Sequence, residues 1–268
     1  MPPEASQPTE TTAPLPKKGL RAASELLVVL SLVVVAADTL HFGFGLDIFV
    51  ITHLMYLLLP LGMISYSWLR FGRNFALGSS VVLFTGGIAV ELVGTRTGLP
   101  FGSYYYTSAF QPQILGVPIE IALGWLTLGL MCYSLASYRL GERRLVVPLA
   151  AMLMVAWDVL YDPVFVGLGM WVWRGGGYYT VPLSNFAGWF LASLLFFSVI
   201  SVFRRRGAAS HGRLIGLSPF CVYLSYLVDG TASNLALGQV DAALVGSSFM
   251  LLFALVAVDP GLLRRRSP

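Results

Sequence analysis

Charge is what this sequence has least of. Only 11% of its 268 residues are Asp, Glu, Lys or Arg, against about 25% in an ordinary soluble domain. With 56% apolar residues, that shortage excludes a water-soluble domain and a disordered chain. Cysteine is scarce too. Cys132 and Cys221 stand far apart inside apolar runs, which excludes a disulfide framework and leaves both as small core residues. The three histidines show neither H-x-x-E-H nor H-x-x-x-H spacing, so no metal site is expected.

Long apolar runs are what the sequence does have. A bilayer core needs about 20 apolar residues per helix. Eight stretches qualify, at about 23–43, 48–69, 74–95, 119–139, 145–166, 182–203, 214–236 and 240–260. The expected fold is therefore all-α, a multi-pass bundle of about eight transmembrane helices in the cell membrane. Residues 1–21 begin with a stretch holding five prolines and read as a disordered tail. Residues 22–262 form one integral-membrane domain, and 263–268 a basic end. Lys17, Lys18 and Arg21 before the first run imitate a signal peptide, but no small-residue cleavage site follows, so an uncleaved first span is expected.

The bases test this count. Alternating the eight spans places fifteen of the seventeen Lys and Arg residues on one side, leaving only Arg96 and Arg174 opposite. Positive loops stay inside, so both termini are predicted to be cytoplasmic. The net charge of +4 thereby becomes a matter of orientation, with no nucleic-acid partner. Two longer connections, 95–118 and 167–181, fall on the opposite side and are rich in Gly, Tyr and Trp, as interfacial segments are. A repeat accompanies them. Val117-Pro118 precedes Gly124-Trp125 at the same spacing as Val181-Pro182 precedes Gly188-Trp189, suggesting parallel repeats of spans 3–4 and 5–6.

An acid at the bilayer centre costs about 2.5–3.5 kcal/mol on insertion scales, so each one asks for a reason. Asp38, Glu91, Asp158, Asp162 and Asp229 all fall late in outward-running spans, and Glu120 opens span 4. Four helices thus place a carboxyl at similar depth beside both aromatic loops. His41 and His53 stand at the same level. Each has a plainer reading beside the functional one. Glu91 also suits an ion pair with Arg96, Asp38 a bond to Thr39, and Asp229, before Gly230, a turn or cap. Asp162-Pro163 also fits a helix-ending turn, the two histidines fit interface residues, and Asn185 a helix cap or a water holder. Asp158 and Asp162, at i and i+4 on one helical stripe, are the hardest to explain by structure alone.

A carboxyl removed from water keeps its proton and becomes a proton donor. Such an acid can protonate an alkene, Trp and Tyr faces can hold the resulting tertiary cation, and a positioned water can quench it. The motifs Glu91-Leu92-Val93-Gly94 through Thr97-Gly98-Leu99-Pro100-Phe101-Gly102, Tyr104-Tyr105-Tyr106 and Gly116-Val117-Pro118 resemble a known family. So do Trp157-Asp158, Tyr161-Asp162-Pro163, Trp171-Val172-Trp173, Gly177-Tyr178-Tyr179 and Val181 through Trp189. The family is that of membrane carotenoid-biosynthesis proteins holding the CruF-type 1,2-hydratases and the bisanhydrobacterioruberin hydratases.

The resemblance implies addition of water to the terminal 1,2 double bond of an acyclic carotenoid end, in lycopene, γ-carotene or a similar pigment. The catalytic candidates are Asp158 as donor, with Asp162 or Glu91 tuning it and placing water. Asp38, His41, His53, Asn185 and Asp229 would form a water and proton network. Tyr104, Tyr105, Trp125, Trp171, Trp173, Tyr178 and Trp189 would line the substrate. No cofactor is expected, since hydration leaves the oxidation state of the carbon pair unchanged overall. The partners are the bilayer carotenoid and water, with other carotenoid-pathway enzymes beside them. A proton-coupled transporter or lipid carrier would also use buried acids, but along a path through the membrane. A carotenoid end-group cyclase or isomerase would begin from the same protonation.

Overall fold

The computed structural model describes residues 49–109, 111–140, 144–204 and 213–257, with isolated helical positions between Gly19 and Ala36; the side chains of 49–57, 139 and 213–216 are outside it. Most of the expected first span, the N-terminal tail and the basic C-terminal end lie outside the described residues.

Seven helices occur among the described residues. They are α1 (Phe49–Phe71), α2 (Arg73–Thr97), α3 (Ile119–Leu140), α4 (Val146–Gly167), α5 (Leu183–Ser201), α6 (Arg213–Ala236) and α7 (Val240–Ala257). Each coincides with one of the apolar runs from the second onward, within a few residues at its ends. Helices α2, α3, α4, α5 and α7 are long and apolar enough to cross a membrane. Glycines punctuate them where the chain must turn. Gly72 (φ 95°) separates α1 from α2, and Gly98 (φ 76°) closes α2 by donating its N–H to the Gly94 carbonyl at 2.8 Å. Helix α4 does not stop at Asp162-Pro163 but runs on to Gly167, a proline position that membrane helices tolerate when neighbours cover the freed backbone.

Helices α2, α3, α4 and α5 close a ring, α2 and α4 each lying against both α3 and α5. Helix α1 covers α2 and α3, while α6 and α7 cover α4. The two long connections meet over one end of the ring. Strand β1 (Tyr104–Tyr106) of the first pairs antiparallel with β4 (Trp171–Trp173) of the second, in the register Tyr104↔Trp173, Tyr105↔Val172 and Tyr106↔Trp171. Between them, β2 (Gln113–Ile114) and β3 (Val117–Pro118) form a short hairpin leading into α3. Alternation along a strand sends successive side chains to opposite faces. Tyr104, Trp171 and Trp173 are accordingly buried toward the ring, while Tyr105 is 45% exposed.

Phe101 fastens this cap to the helices. It is fully buried between Gly94 of α2 and Gly188 of α5, where a Cβ would approach its ring to 2.8 and 2.7 Å respectively. The two Gly-Trp blocks meet at their tryptophans: Trp125 and Trp189 stack with centroids 4.2 Å apart and planes 9° from parallel. Their glycines are not equivalent, because Gly124 faces open space where Gly188 is crowded by Phe101 and the Pro100 backbone.

Candidate active site

Three carboxyls lie inside the capped end of the ring. Glu91, near the end of α2, is 3% exposed and receives donors from two other elements. The Tyr104 hydroxyl donates to its Oε2, the Tyr106 hydroxyl to the same oxygen at 2.8 Å, and the Trp125 indole N–H to Oε1 at 2.9 Å. Both oxygens are therefore engaged, which offsets much of the cost of burying the group. Burial, followed by the Glu91 carboxyl, pushes both phenols well above the ordinary tyrosine range, and Tyr104 also feels Asp162. The two hydroxyls consequently stay protonated and remain donors.

Asp158 and Asp162 lie one turn apart on α4, both buried. The Asn185 amide, from the first turn of α5, bridges them, donating to Asp158 Oδ2 at 2.8 Å and to Asp162 Oδ2 at 2.5 Å. The Trp171 indole N–H donates to Asp162 Oδ1 at 3.0 Å. Asn185 thus ties α4 to α5. The oxygens differ in one respect. Every oxygen of Glu91 and Asp162 accepts a hydrogen bond, whereas among the described residues Asp158 Oδ1 accepts none.

Rings enclose the carboxyls. Tyr104 lies on Trp173 (centroids 4.7 Å apart), Tyr106 meets Trp171 edge-on at 6.0 Å, and Trp157 stacks on Tyr161 at 4.5 Å. The Trp157 ring comes within 6.2 Å of Trp189, joining this wall to the Trp125–Trp189 stack. The indole N–H groups of Trp157 and Trp173 are buried and have no acceptor among the described residues.

The sequence profile of a family described as carotenoid biosynthesis proteins matches residues 48–253, more than three quarters of the chain. The chain belongs to the carotenoid biosynthesis protein family. It is also 37% identical over 120 residues to the bisanhydrobacterioruberin hydratase of Haloarcula japonica, a stretch covering 42% of this chain and 40% of that protein. The chain is thus matched to well under half of that relative's length. No solved structure matches the chain.

In this carotenoid biosynthesis protein the expected site residues fall into three groups. Glu91, Asp158, Asp162, Asn185, Tyr104, Trp125, Trp171, Trp173 and Trp189 converge as described. Asp229 stands one step away, accepting the Tyr161 hydroxyl at 2.8 Å, and Tyr161 in turn stacks on Trp157. Two of the expected substrate-lining residues stand apart from this cluster. Tyr105 points out of the cap, its ring 5.8 Å from the Arg174 guanidinium, because strand alternation turns it away from Tyr104. Tyr178 lies beside Tyr179 and Phe186, in the turn closed by the Tyr178–Val181 bridge. Its phenol is pushed up to about 12, chiefly by burial.

Asp38 and His41 lie outside the described residues, and His53 is placed on α1 without a described side chain. Glu91 takes aromatic donors instead of the neighbouring Arg96. Tyr106, Trp157 and Tyr161 join the site without having been singled out. Tyr106 was legible from the i, i+2 rule applied to Tyr104, and Trp157 and Tyr161 from their i, i+4 spacing beside Asp158. No group of three or more His, Cys, Asp and Glu side chains among the described residues is arranged to hold a metal ion. Chemically, the assembly offers buried carboxyls, one of them with an oxygen that no described residue engages, beside electron-rich ring faces.

Proposed function

We propose that this family member is a carotenoid 1,2-hydratase that adds water to the terminal double bond of an acyclic carotenoid end. Asp158 gives its proton to C2, forming the new C–H bond and leaving a tertiary cation at C1. A water oxygen bonds to C1 and loses a proton to the Asp158 carboxylate, so the acid is regenerated and the net change is one added water. Glu91 and Asp162, with every oxygen engaged, hold their positions and orient the water. The faces of Trp125, Trp171, Trp173, Trp189 and Tyr104 stabilise the cation by cation–π attraction.

One observation carries the assignment of the donor: Asp158 Oδ1 is the only oxygen of the three carboxyls left without a hydrogen bond by the described residues. A proton held there is free to leave toward a substrate. The hydratase similarity, confined to 120 residues, supports the reaction type. Expressing the full chain in a host that makes lycopene or γ-carotene, then measuring pigment mass, tests the reading. A product heavier by one water is expected. An unchanged mass with altered absorption or retention would mean cyclisation or isomerisation, and no new pigment would point to a carrier or transporter.

A further inference from the structure

Four of the indoles at the capped end of the ring use their N–H groups in two different ways. Trp125 donates to Glu91 Oε1 at 2.9 Å and Trp171 to Asp162 Oδ1 at 3.0 Å. The N–H groups of Trp157 and Trp173 are as buried, yet have no acceptor among the described residues. A donor buried without a partner costs free energy that a bound acceptor recovers. Trp173 is the more enclosed of the two, at 8% exposed, whereas Trp157 is half-buried.

The backbone places Trp173 within the site. It shares one face of β4 with Trp171, two residues away; both are buried, while Val172 between them is 39% exposed. Trp171 reaches Asp162 from that face. Across the strand pair Trp173 stands opposite Tyr104, whose ring lies 4.7 Å away and whose hydroxyl donates to Glu91. Trp173 therefore has one neighbour bonded to Glu91 and another bonded to Asp162. The six-membered edge of its indole lies against the cap turn, its Cζ3 3.4 Å from where a Cβ on Gly102 would stand. The N–H is on the opposite edge, directed away from that turn.

The end of a hydrocarbon polyene offers this N–H no lone pair, but water and a tertiary alcohol do. We infer that the Trp173 N–H holds the attacking water and, after addition, the new hydroxyl; this rests on the hydratase reading above. The N–H occupies one lone pair of the water oxygen and leaves the other to bond to C1, while one water proton passes to the Asp158 carboxylate. A buried water takes about three hydrogen bonds, and Asp158 Oδ1, which accepts none from the described residues, supplies an acceptor. If water is not held in place, the C1 cation loses a methyl proton to the same carboxylate. The product is then a terminal methylidene isomer of unchanged mass.

Product partition tests the inference, in membranes given lycopene in D2O, where the isomer carries one deuterium at C2. The chains compared are the unaltered one, W173F, and one with the benzothiophene analogue of tryptophan at position 173, in which sulfur replaces the N–H. The analogue keeps both rings, so it decides alone if W173F is missing from the membrane. Each change should lower the ratio of water adduct to methylidene isomer about tenfold, and W68F, remote from the carboxyls, should leave it unmoved. A parallel fall of adduct and isomer, as a merely structural role would give, overturns the inference, as does an unchanged ratio with the analogue. No adduct from the unaltered chain would instead overturn the hydratase reading, and this inference with it.

Discussion

Glu91 was expensive enough to notice in the sequence, but its partners were not legible there. The cost of a carboxyl in an apolar run can be read from the run itself. The donors come from Tyr104, Tyr106 and Trp125, 13 to 34 residues away, and only the folded loop brings them together. Arg96 is closer in sequence and was the natural partner on paper. Removing one donor from a buried acid leaves it under-satisfied, at a cost of about 1–3 kcal/mol. Tyr106→Phe and Trp125→Phe should therefore each lower stability by about that much, while Tyr105→Phe should leave it unchanged; denaturant titration in detergent measures the difference. Asn185 makes a sharper case, since it holds two carboxyls with one amide. Asn185→Leu should abolish turnover even where the protein still folds, read as loss of product at unchanged protein level.

Among the elements, the helices were the legible part, because about 20 consecutive apolar residues leave few alternatives. Their ends were legible where glycine stands, at Gly72 and Gly98. Asp162-Pro163 was ambiguous for a physical reason: proline removes one N–H, but whether the helix ends there depends on packing from α5 and α7, which no local pattern encodes. The β1–β4 pairing was hidden in the same way. Two three-residue strands, 65 residues or more apart, are too short for periodicity to reveal. The cap they form depends on the Phe101 wedge between α2 and α5. Gly188→Ala should press on the Phe101 ring and the Pro100 backbone and cost about 1–3 kcal/mol, whereas Gly124→Ala, facing open space, should cost nothing; paired melting curves test this.

At the scale of the whole molecule, the ring of α2 to α5 separates two kinds of charge. Carboxyls and aromatic donors occupy one end, and the described arginines Arg70, Arg73 and Arg204 the other. The positive-inside rule then predicts that the arginine end faces the cytoplasm. Single cysteines at Arg73 and Tyr105, in a chain with Cys132 and Cys221 changed to Ala, should react with an impermeant maleimide from opposite sides of the membrane, Tyr105→Cys from outside; labelling of both from one side would refute that orientation. The polarity matters for chemistry because it gathers the three carboxyls toward one end of the ring, which suits a one-sided reaction site better than a path across the bilayer. The central claim is that the unengaged oxygen of Asp158 delivers the proton. The most direct measurement is pigment mass from a lycopene-producing host carrying Asp158→Asn beside the unaltered chain, with equal protein in the membrane. The account predicts the water adduct from the unaltered chain and its reduction by at least about a hundredfold in the variant; undiminished adduct from Asp158→Asn would contradict it.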